Sequence, residues 1–214
     1  MKTTILALAA AMPVMAGTAY NVPEPVNPYS IEMGVSYNFA ARDIVKVNGN
    51  GPKVDTLGVD LTGVYKVNDR SSWNLRFGFA TGSDDAGDHH NYYIGSTKTD
   101  VRVNSFYLMP GYRYTHPVSD YTSVFIGANV GVINESLKTK FTDGFDTRRF
   151  HGSEFGFAYS GEAGLRFELS KNFDLFVAYQ FFGSTAEPGL NHIENSSTRS
   201  QLYHCVRAGL SFDF

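Results

Sequence analysis

The chain has 214 residues, a formal net charge of -3, a hydrophobic fraction of 43% and one cysteine. This length fits one domain, and the slightly negative mean hydropathy argues against a bundle of apolar membrane helices. The weakly acidic charge is atypical of nucleic-acid-binding proteins, and a single cysteine cannot form an internal disulfide.

The N-terminal segment has the pattern of a secretory signal peptide. Lys2 precedes the apolar run ILALAAAMPVMA, which at about twelve residues is within the range of a signal peptide and too short to span a membrane as a helix. Cleavage is expected after Ala16 or Ala19. We therefore predict a signal peptide at residues 1–19, a proline-rich lead-in at residues 20–28 and a folded domain at residues 29–214.

Beyond the lead-in, alternating apolar and polar residues predict eight β-strands. The predicted strands are residues 29–40, 56–67, 72–81, 100–114, 122–135, 154–169, 173–184 and 200–214. They are longer than the five or six residues that are about average for a strand. Pro110 lies inside the fourth run, and because proline lacks an N–H donor we expect a bulge or a local gap there.

The connectors between these runs alternate in length. The long, polar connectors are residues 42–55, 82–99, 136–153 and 185–199, and the short ones are residues 68–71, 115–121 and 170–172. In an antiparallel sheet this alternation gathers long loops at one end and tight turns at the other.

The two faces of the runs separate a membrane barrel from a soluble one. One face carries bulky Leu, Val, Phe and Tyr, and the other carries Gly, Ala, Ser and Asn with a few charges of both signs. Small residues suit the interior of an eight-stranded barrel, and a bulky apolar wall suits lipid. The predicted fold class is therefore all-β, an eight-stranded antiparallel up-and-down transmembrane β-barrel, with a soluble barrel as the alternative.

The last ten residues, CVRAGLSFDF, are the most specific feature. Their apolar positions alternate strictly and end on an aromatic residue: Val206, Ala208, Leu210, Phe212 and Phe214. With the signal peptide, the eight strands and the connector pattern, this ending resembles the small outer-membrane β-barrels of the OmpA transmembrane-domain and OmpX/Opa type. The resemblance implies a bacterial outer-membrane location, with Phe214, Phe212 and Leu210 read as a signal by the barrel assembly machinery.

The charges on the small-residue face are predicted to pair inside the barrel, because unpaired buried charges are costly. If the N-terminus is periplasmic, the residues nearest mid-height are Asp60, Arg76, Glu162 and Arg207, with Gln180 and Asn129 close by. The residues nearer the periplasmic end are Glu32, Lys66, Arg113, Arg166, Glu168 and Asp174. A polar plug is the main expectation, and a narrow ion path or a catalytic acid pair are the alternatives.

Two of the long connectors contain candidate binding residues. In GSDDAGDHHNYY, the residues Asp88, His89 and His90 have the chemistry of metal ligands, but a solvated loop is favoured and no metal is predicted. In FTDGFDTRRFHGSEF, exposed aromatic and arginine residues are typical recognition anchors. These candidates are Phe145, Arg148, Arg149 and Phe150; a loop packed on itself or on the membrane rim would explain them equally well.

The expected function is structural or surface interaction, such as adhesion or recognition, through four long extracellular loops. A narrow channel with a charged lumen is the alternative. An outer-membrane lipid-modifying enzyme is a further alternative, which would need a histidine in reach of a serine at the outer rim. No cofactor and no nucleic-acid partner are expected. The expected partners of this monomer are outer-membrane lipid, the barrel assembly machinery and a host or surface ligand.

Overall fold

A computed structural model describes residues 28–41, 43, 45–47, 53–91, 95–143, 146–189, 196–198 and 200–214. Within these ranges the side chains of residues 45–47, 85–91, 95–99, 141–143, 146 and 196–198 are outside the description. The predicted signal peptide also lies outside the described residues. In the part of the chain that is described, no helix is long and apolar enough to cross a membrane.

The described part of the chain forms ten strands, eight of which close into a barrel. The strands are β1 (Tyr29–Ala40), β2 (Val45–Val47), β3 (Thr56–Asn68), β4 (Ser71–Asn91), β5 (Gly95–Ser119), β6 (Thr122–Asp143), β7 (Asp146–Ser170), β8 (Phe173–Ser184), β9 (Ser196–Thr198) and β10 (Leu202–Asp213). The barrel order is β1-β10-β8-β7-β6-β5-β4-β3, while β2 and β9 pair separately. Every pairing is antiparallel, which confirms the predicted fold class.

Alternation along each strand sends bulky side chains outward and small or charged ones inward. Leu61 and Phe77, for example, are about half exposed on the outer wall, whereas Arg76 and Arg207 are completely buried in the lumen. A one-residue slip would invert this arrangement, so the alternation fixes the register of the barrel. We refer to the outward bulky side chains as the apolar band.

The strands β4 to β7 are longer than predicted, and this corrects the predicted connectors. Most of residues 82–99 and 136–153 continues as strand, and residues 92–94 and 144–145 lie outside the described residues. On the outer face the apolar band ends at Phe106, Val132 and Phe155, so these strands continue past the band. We call this part the extension, its side of the barrel the loop end, and the opposite side, with the tight turns, the turn end.

Pro110 leaves a local gap rather than a bulge. The ladder between β5 and β6 runs to Leu108 and resumes at Gly111 with the same register. On its other side Pro110 stays paired with Leu75 of β4. The missing proline N–H therefore removes pairing on one side without shifting the strands.

Candidate functional site

Four arginines and four carboxylates form one connected ion network inside the barrel. Its members are Glu32, Asp60, Arg76, Arg113, Glu162, Arg166, Asp174 and Arg207. At its centre, Arg113 Nη1 donates to Glu32 Oε1 at 2.5 Å and Arg113 Nη2 donates to Glu162 Oε1 at 3.0 Å. Arg76 Nη2 donates to Glu162 Oε2 at 2.7 Å. Mutual pairing is what makes these buried charges tolerable.

The network ties together strands that are not neighbours. Arg207 Nε donates to Asp60 Oδ2 at 2.8 Å, and Arg166 joins Glu32 to Asp174, donating to the latter at 3.2 Å. The eight members come from every barrel strand except β6. Equal numbers of cations and carboxylates leave the network formally neutral. Its ion pairs connect strands across the lumen, so it forms a neutral plug rather than a charged binding site.

Two aromatic rings that are not among the predicted site residues complete this plug. The guanidinium carbon of Arg113 lies 4.7 Å from the ring centroid of Phe125, and that of Arg207 lies 4.4 Å from the centroid of Phe176. Phe125 brings the remaining strand, β6, into the cluster. Stacking on a ring face is favourable for arginine when the pair is desolvated. The available signal was the alternation, which turns Phe176 inward between Asp174 and Ala178.

The other predicted lumen residues lie apart from the network. Lys66 pairs with Asp213 at 2.5 Å near the turn end, and Glu168 is exposed. Asn129 Nδ2 donates to Ser160 Oγ at 3.3 Å, and Gln180 lines a small cavity of about 20 Å³ towards the loop end. Arg113, which is predicted to lie nearer the turn end, reaches the predicted mid-height residue Glu162 with its long side chain.

Two apolar layers lie above the network and close the lumen. The lower layer is formed by Met109, Ile133, Ala158, Phe182, Ala186, Tyr203 and Cys205. The upper layer, at the mouth, is formed by Val54, Val101, Val103 and Leu137, with Phe150 packed against it. The four core members of the upper layer are at most 1% exposed. Among the described residues, side chains therefore close the lumen from the network to the mouth, whereas a cavity of about 450 Å³ lies at the turn end, beside Lys66, Arg113 and Arg166.

Glu135 is an isolated buried carboxylate in the extension. It lies three residues beyond Val132, the last outward apolar residue of β6, and its side chain points into the mouth. Burial raises the pKa of Glu135 to about 8, the neighbouring charge of Glu154 adds to the rise, and the Ser184 hydroxyl offsets only part of it. This carboxyl is therefore largely neutral at pH 7.

The outer face of the extension carries a basic patch, which we define as Arg102, Lys138, Lys140, Arg149 and His151. Strand pairing arranges it in two rows. The first row runs across four strands as Ser83, Arg102, Lys138 and His151. The second row runs as Asp85, Asp100, Lys140 and Arg149, with Asp85 placed by its backbone pairing alone. The rows line a surface groove of about 650 Å³.

Asp100 lies beside the basic patch and partly offsets its positive charge. Asp100 Oδ2 lies 4.0 Å from Lys140 Nζ, and both side chains are more than a third exposed. An exposed pair of this kind contributes little energy and exchanges readily with other partners. Among the side chains that the structure describes, the patch has four permanent cations and one carboxylate, so it is positive on a chain whose formal net charge is -3. Such a surface is suited to an anionic ligand.

The predicted loop-recognition residues separate into three groups. Arg148 and Arg149 are exposed, but they lie in β7 rather than in a loop. Phe150 is not an exposed anchor, because its side chain packs inward against the apolar layer at the mouth. Phe145 lies outside the described residues, and so do the side chains of the metal candidates Asp88, His89 and His90.

The last strand closes the barrel against the first. Phe212 is paired with Ile31 and Leu210 with Met33, and the backbone N–H of Phe214 donates to the Tyr29 carbonyl at 3.1 Å. All three predicted signal residues are exposed on the outer wall; their reading by the assembly machinery remains a prediction. Further along β10 towards the loop end, the His204 ring contacts the Tyr179 hydroxyl and the Phe181 ring.

A family model described as outer membrane protein beta-barrel domain matches residues 4–202. Among solved structures, the chain is similar to the attachment invasion locus protein Ail of Yersinia pestis, at 17% identity over 88% of this chain and 99% of that one, with a TM-score of 0.46. It is also similar to Neisserial surface protein A, at 11% identity over 89% and 100% of the two chains, with a TM-score of 0.48.

The outer membrane protease OmpT of Escherichia coli is similar at 9% identity over 89% of this chain and 98% of that one, with a TM-score of 0.51. At such low identities these similarities extend to the fold alone. No curated protein sequence matches the chain.

Proposed function

The chain belongs to the family of outer membrane protein beta-barrel domains and lies in the bacterial outer membrane, and from this premise we propose that it is a surface-recognition protein that binds anionic saccharides through the basic patch. The apolar band anchors the barrel in the membrane. The extension carries the patch outside it. In this proposal the ion network serves stability rather than transport.

The observation that carries the proposal is the regular spacing of cations on the outer sheet surface. Side chains on adjacent strands stand about 5 Å apart, so each row presents its cations at nearly fixed intervals. Lys138 and Lys140 lie two residues apart on β6, so that strand contributes one lysine to each row. Arginine and lysine bind phosphate and sulfate through charge-assisted hydrogen bonds. A regular array of cations favours a polymer that carries repeated anionic groups, which at a cell surface is typically a saccharide.

The lumen, which side chains close above the network, supports recognition over conduction. An ion on a path through the barrel would have to displace two apolar layers and the paired charges beneath them, which is costly. For the enzyme alternative, His204 gives no support, because the hydroxyl it contacts belongs to Tyr179 rather than to a serine. We therefore propose neither a channel nor a catalytic role.

Binding of dextran sulfate to cells that display the protein tests the proposal. Wild-type cells should bind dextran sulfate and not uncharged dextran. The double variant Lys138→Gln/Lys140→Gln should bind about 10- to 30-fold more weakly, since each cation near an anionic surface contributes about 1 kcal/mol. Raising the ionic strength from about 0.1 M to 1 M should weaken wild-type binding, because the Debye length shortens from about 10 to 3 Å.

The matched control is Lys53→Gln/Lys171→Gln, which makes the same change in charge at two exposed lysines outside the patch. This control should bind like wild type, and all variants should reach the surface in equal amounts. Equal binding by the patch variant and the wild type would refute the proposal.

A further inference from the structure

The basic patch faces sideways from the barrel rather than upward from its tip. Lys138 and Arg149 are exposed, whereas the residues that alternate with them, such as Leu137, are buried inside the mouth. The cations therefore point away from the barrel axis. A sideways surface on a membrane barrel meets molecules that stand in the same leaflet before it meets a soluble polymer.

The height of the patch identifies which part of such a molecule it would meet. Lys138 and Lys140 lie six and eight residues beyond Val132, where the apolar band ends on β6. At about 3.3 Å per residue and a tilt of about 35–45°, this is a height of about 15–20 Å above the band. The headgroup layer of a bilayer is only about 5–8 Å thick on each side. The patch therefore stands above simple phospholipid headgroups, level with a saccharide carried on a lipid.

Between the apolar band and the basic patch, the outer wall changes in chemical character from one row of residues to the next. At the edge of the band, Phe155 and Phe157 of β7 are 78% and 71% exposed, more than the outward Tyr159, Leu165 and Leu169 of that strand. Above them, Ser136 and Ser153 form a hydroxyl row across β6 and β7. The row after that pairs Lys138 with His151. From the band upward, this strip offers aromatic rings, then hydroxyl groups, then cations.

We infer that this strip binds a phosphorylated glycolipid of the protein's own leaflet, with acyl chains against the phenylalanines and saccharide phosphates on the basic patch. The inference rests on the proposed function and names the source of the anionic saccharide. It assigns Phe155 and Phe157 a binding role in addition to membrane anchoring. It also explains why the cations lie on the side wall of the extension.

The test measures binding of lipopolysaccharide to the purified full chain in detergent micelles, by thermophoresis. Two probes are used, lipopolysaccharide with a phosphorylated core and the same material after removal of its phosphates. Wild type should bind the phosphorylated probe about 10- to 30-fold more tightly. Lys138→Gln/Lys140→Gln should abolish this preference, and Lys53→Gln/Lys171→Gln should keep it.

A second variant separates a glycolipid from a soluble polyanion. Phe155→Ser/Phe157→Ser should weaken binding of both lipopolysaccharide probes and leave dextran sulfate binding unchanged. Heat-modifiable migration on gels checks that each variant is folded.

The outcomes distinguish the inference from the proposal beneath it. If wild type binds dextran sulfate through the patch but does not discriminate between the two lipopolysaccharide probes, the proposed function stands and the inference is wrong. If the patch variant changes neither kind of binding, both are wrong. If the phenylalanine variant weakens dextran sulfate binding as much as lipopolysaccharide binding, the assigned lipid contact is wrong.

Discussion

Arg113 holds a central position in the ion network, since it bridges Glu32 and Glu162 and stacks on Phe125. Alternation in the sequence was enough to predict that it points inward and pairs with carboxylates. Its partners could not be predicted in the same way, because they lie 81 and 49 residues away along the chain. The choice between them depends on barrel register and on the reach of a long side chain.

Replacing Arg113 should destabilise the barrel strongly. Arg113→Ala leaves two buried carboxylates short of a partner, and we expect a loss of about 3–5 kcal/mol in the free energy of unfolding. Lys66→Ala, at a partly exposed ion pair, should cost about 1 kcal/mol or less. Urea unfolding of both variants in lipid vesicles is the measurement. Equal losses would contradict the central role given to Arg113.

Glu135 should give the extension a distinctive pH dependence. Its folded pKa of about 8 lies above the ordinary value of 4.5, so the folded state binds more protons between these limits. Stability should therefore fall as pH rises from about 4.5 to 8, by up to about 1.4 kcal/mol per pH unit from this group. Glu135→Gln keeps a neutral side chain and should remove this contribution. Unfolding free energies at pH 5.5 and 7.5 test this, and parallel pH profiles of variant and wild type would contradict it.

At the scale of elements, the strands inside the apolar band were predictable and the extension was not. Within the band, lipid outside and side chains inside impose strict alternation, and the predicted β1 matches Tyr29–Ala40. Past the band, a strand no longer needs an apolar outer face, so the period-two signal disappears. GSDDAGDHH has the composition of a loop, yet its backbone continues as β4 to Asn91. These strands form because they pair with neighbouring strands, and the residue pattern of one sequence does not reveal that pairing.

Replacing two strand glycines by alanine should affect the stability of the barrel to very different extents. A Cβ on Gly131 would overlap the backbone carbonyl of Leu108, which cannot move without breaking the β5–β6 ladder. A Cβ on Gly161 would meet nothing within 4 Å. Gly131→Ala should therefore destabilise the barrel by about 1–3 kcal/mol, and Gly161→Ala should change stability by about 0.5 kcal/mol or less. Urea unfolding in vesicles compares them, and similar effects would show that the strand packing is described wrongly.

At the scale of the whole molecule, the closed lumen and the outer surface have different roles in this proposal: the interior stabilises the barrel and the outer surface binds. The paired charges and two apolar layers occupy the interior, while the basic patch and the exposed phenylalanines lie outside. The sequence indicated a lumen plug and a lipid-facing wall. Of the patch it indicated only Arg149, because the patch cations come from three strands and become neighbours only through register.

The closed lumen predicts that the barrel does not conduct. Reconstituted into planar bilayers, wild type should give no conductance steps. Arg207→Ala should give none either, because the apolar layers above the network remain in place. Regular steps in wild type, altered by Arg207→Ala, would instead support the channel alternative.

The most direct test of the central claim is a nitroxide scan along the outer face of β6, made from single cysteines in a Cys205→Ser background in lipid vesicles. We predict strong oxygen access at Ile126, Val130 and Val132, and strong access of a water-soluble nickel chelate at Lys138 and Lys140. The reverse pattern, or chelate access along the whole strand, would contradict a barrel that faces lipid up to Val132 and carries its binding surface above.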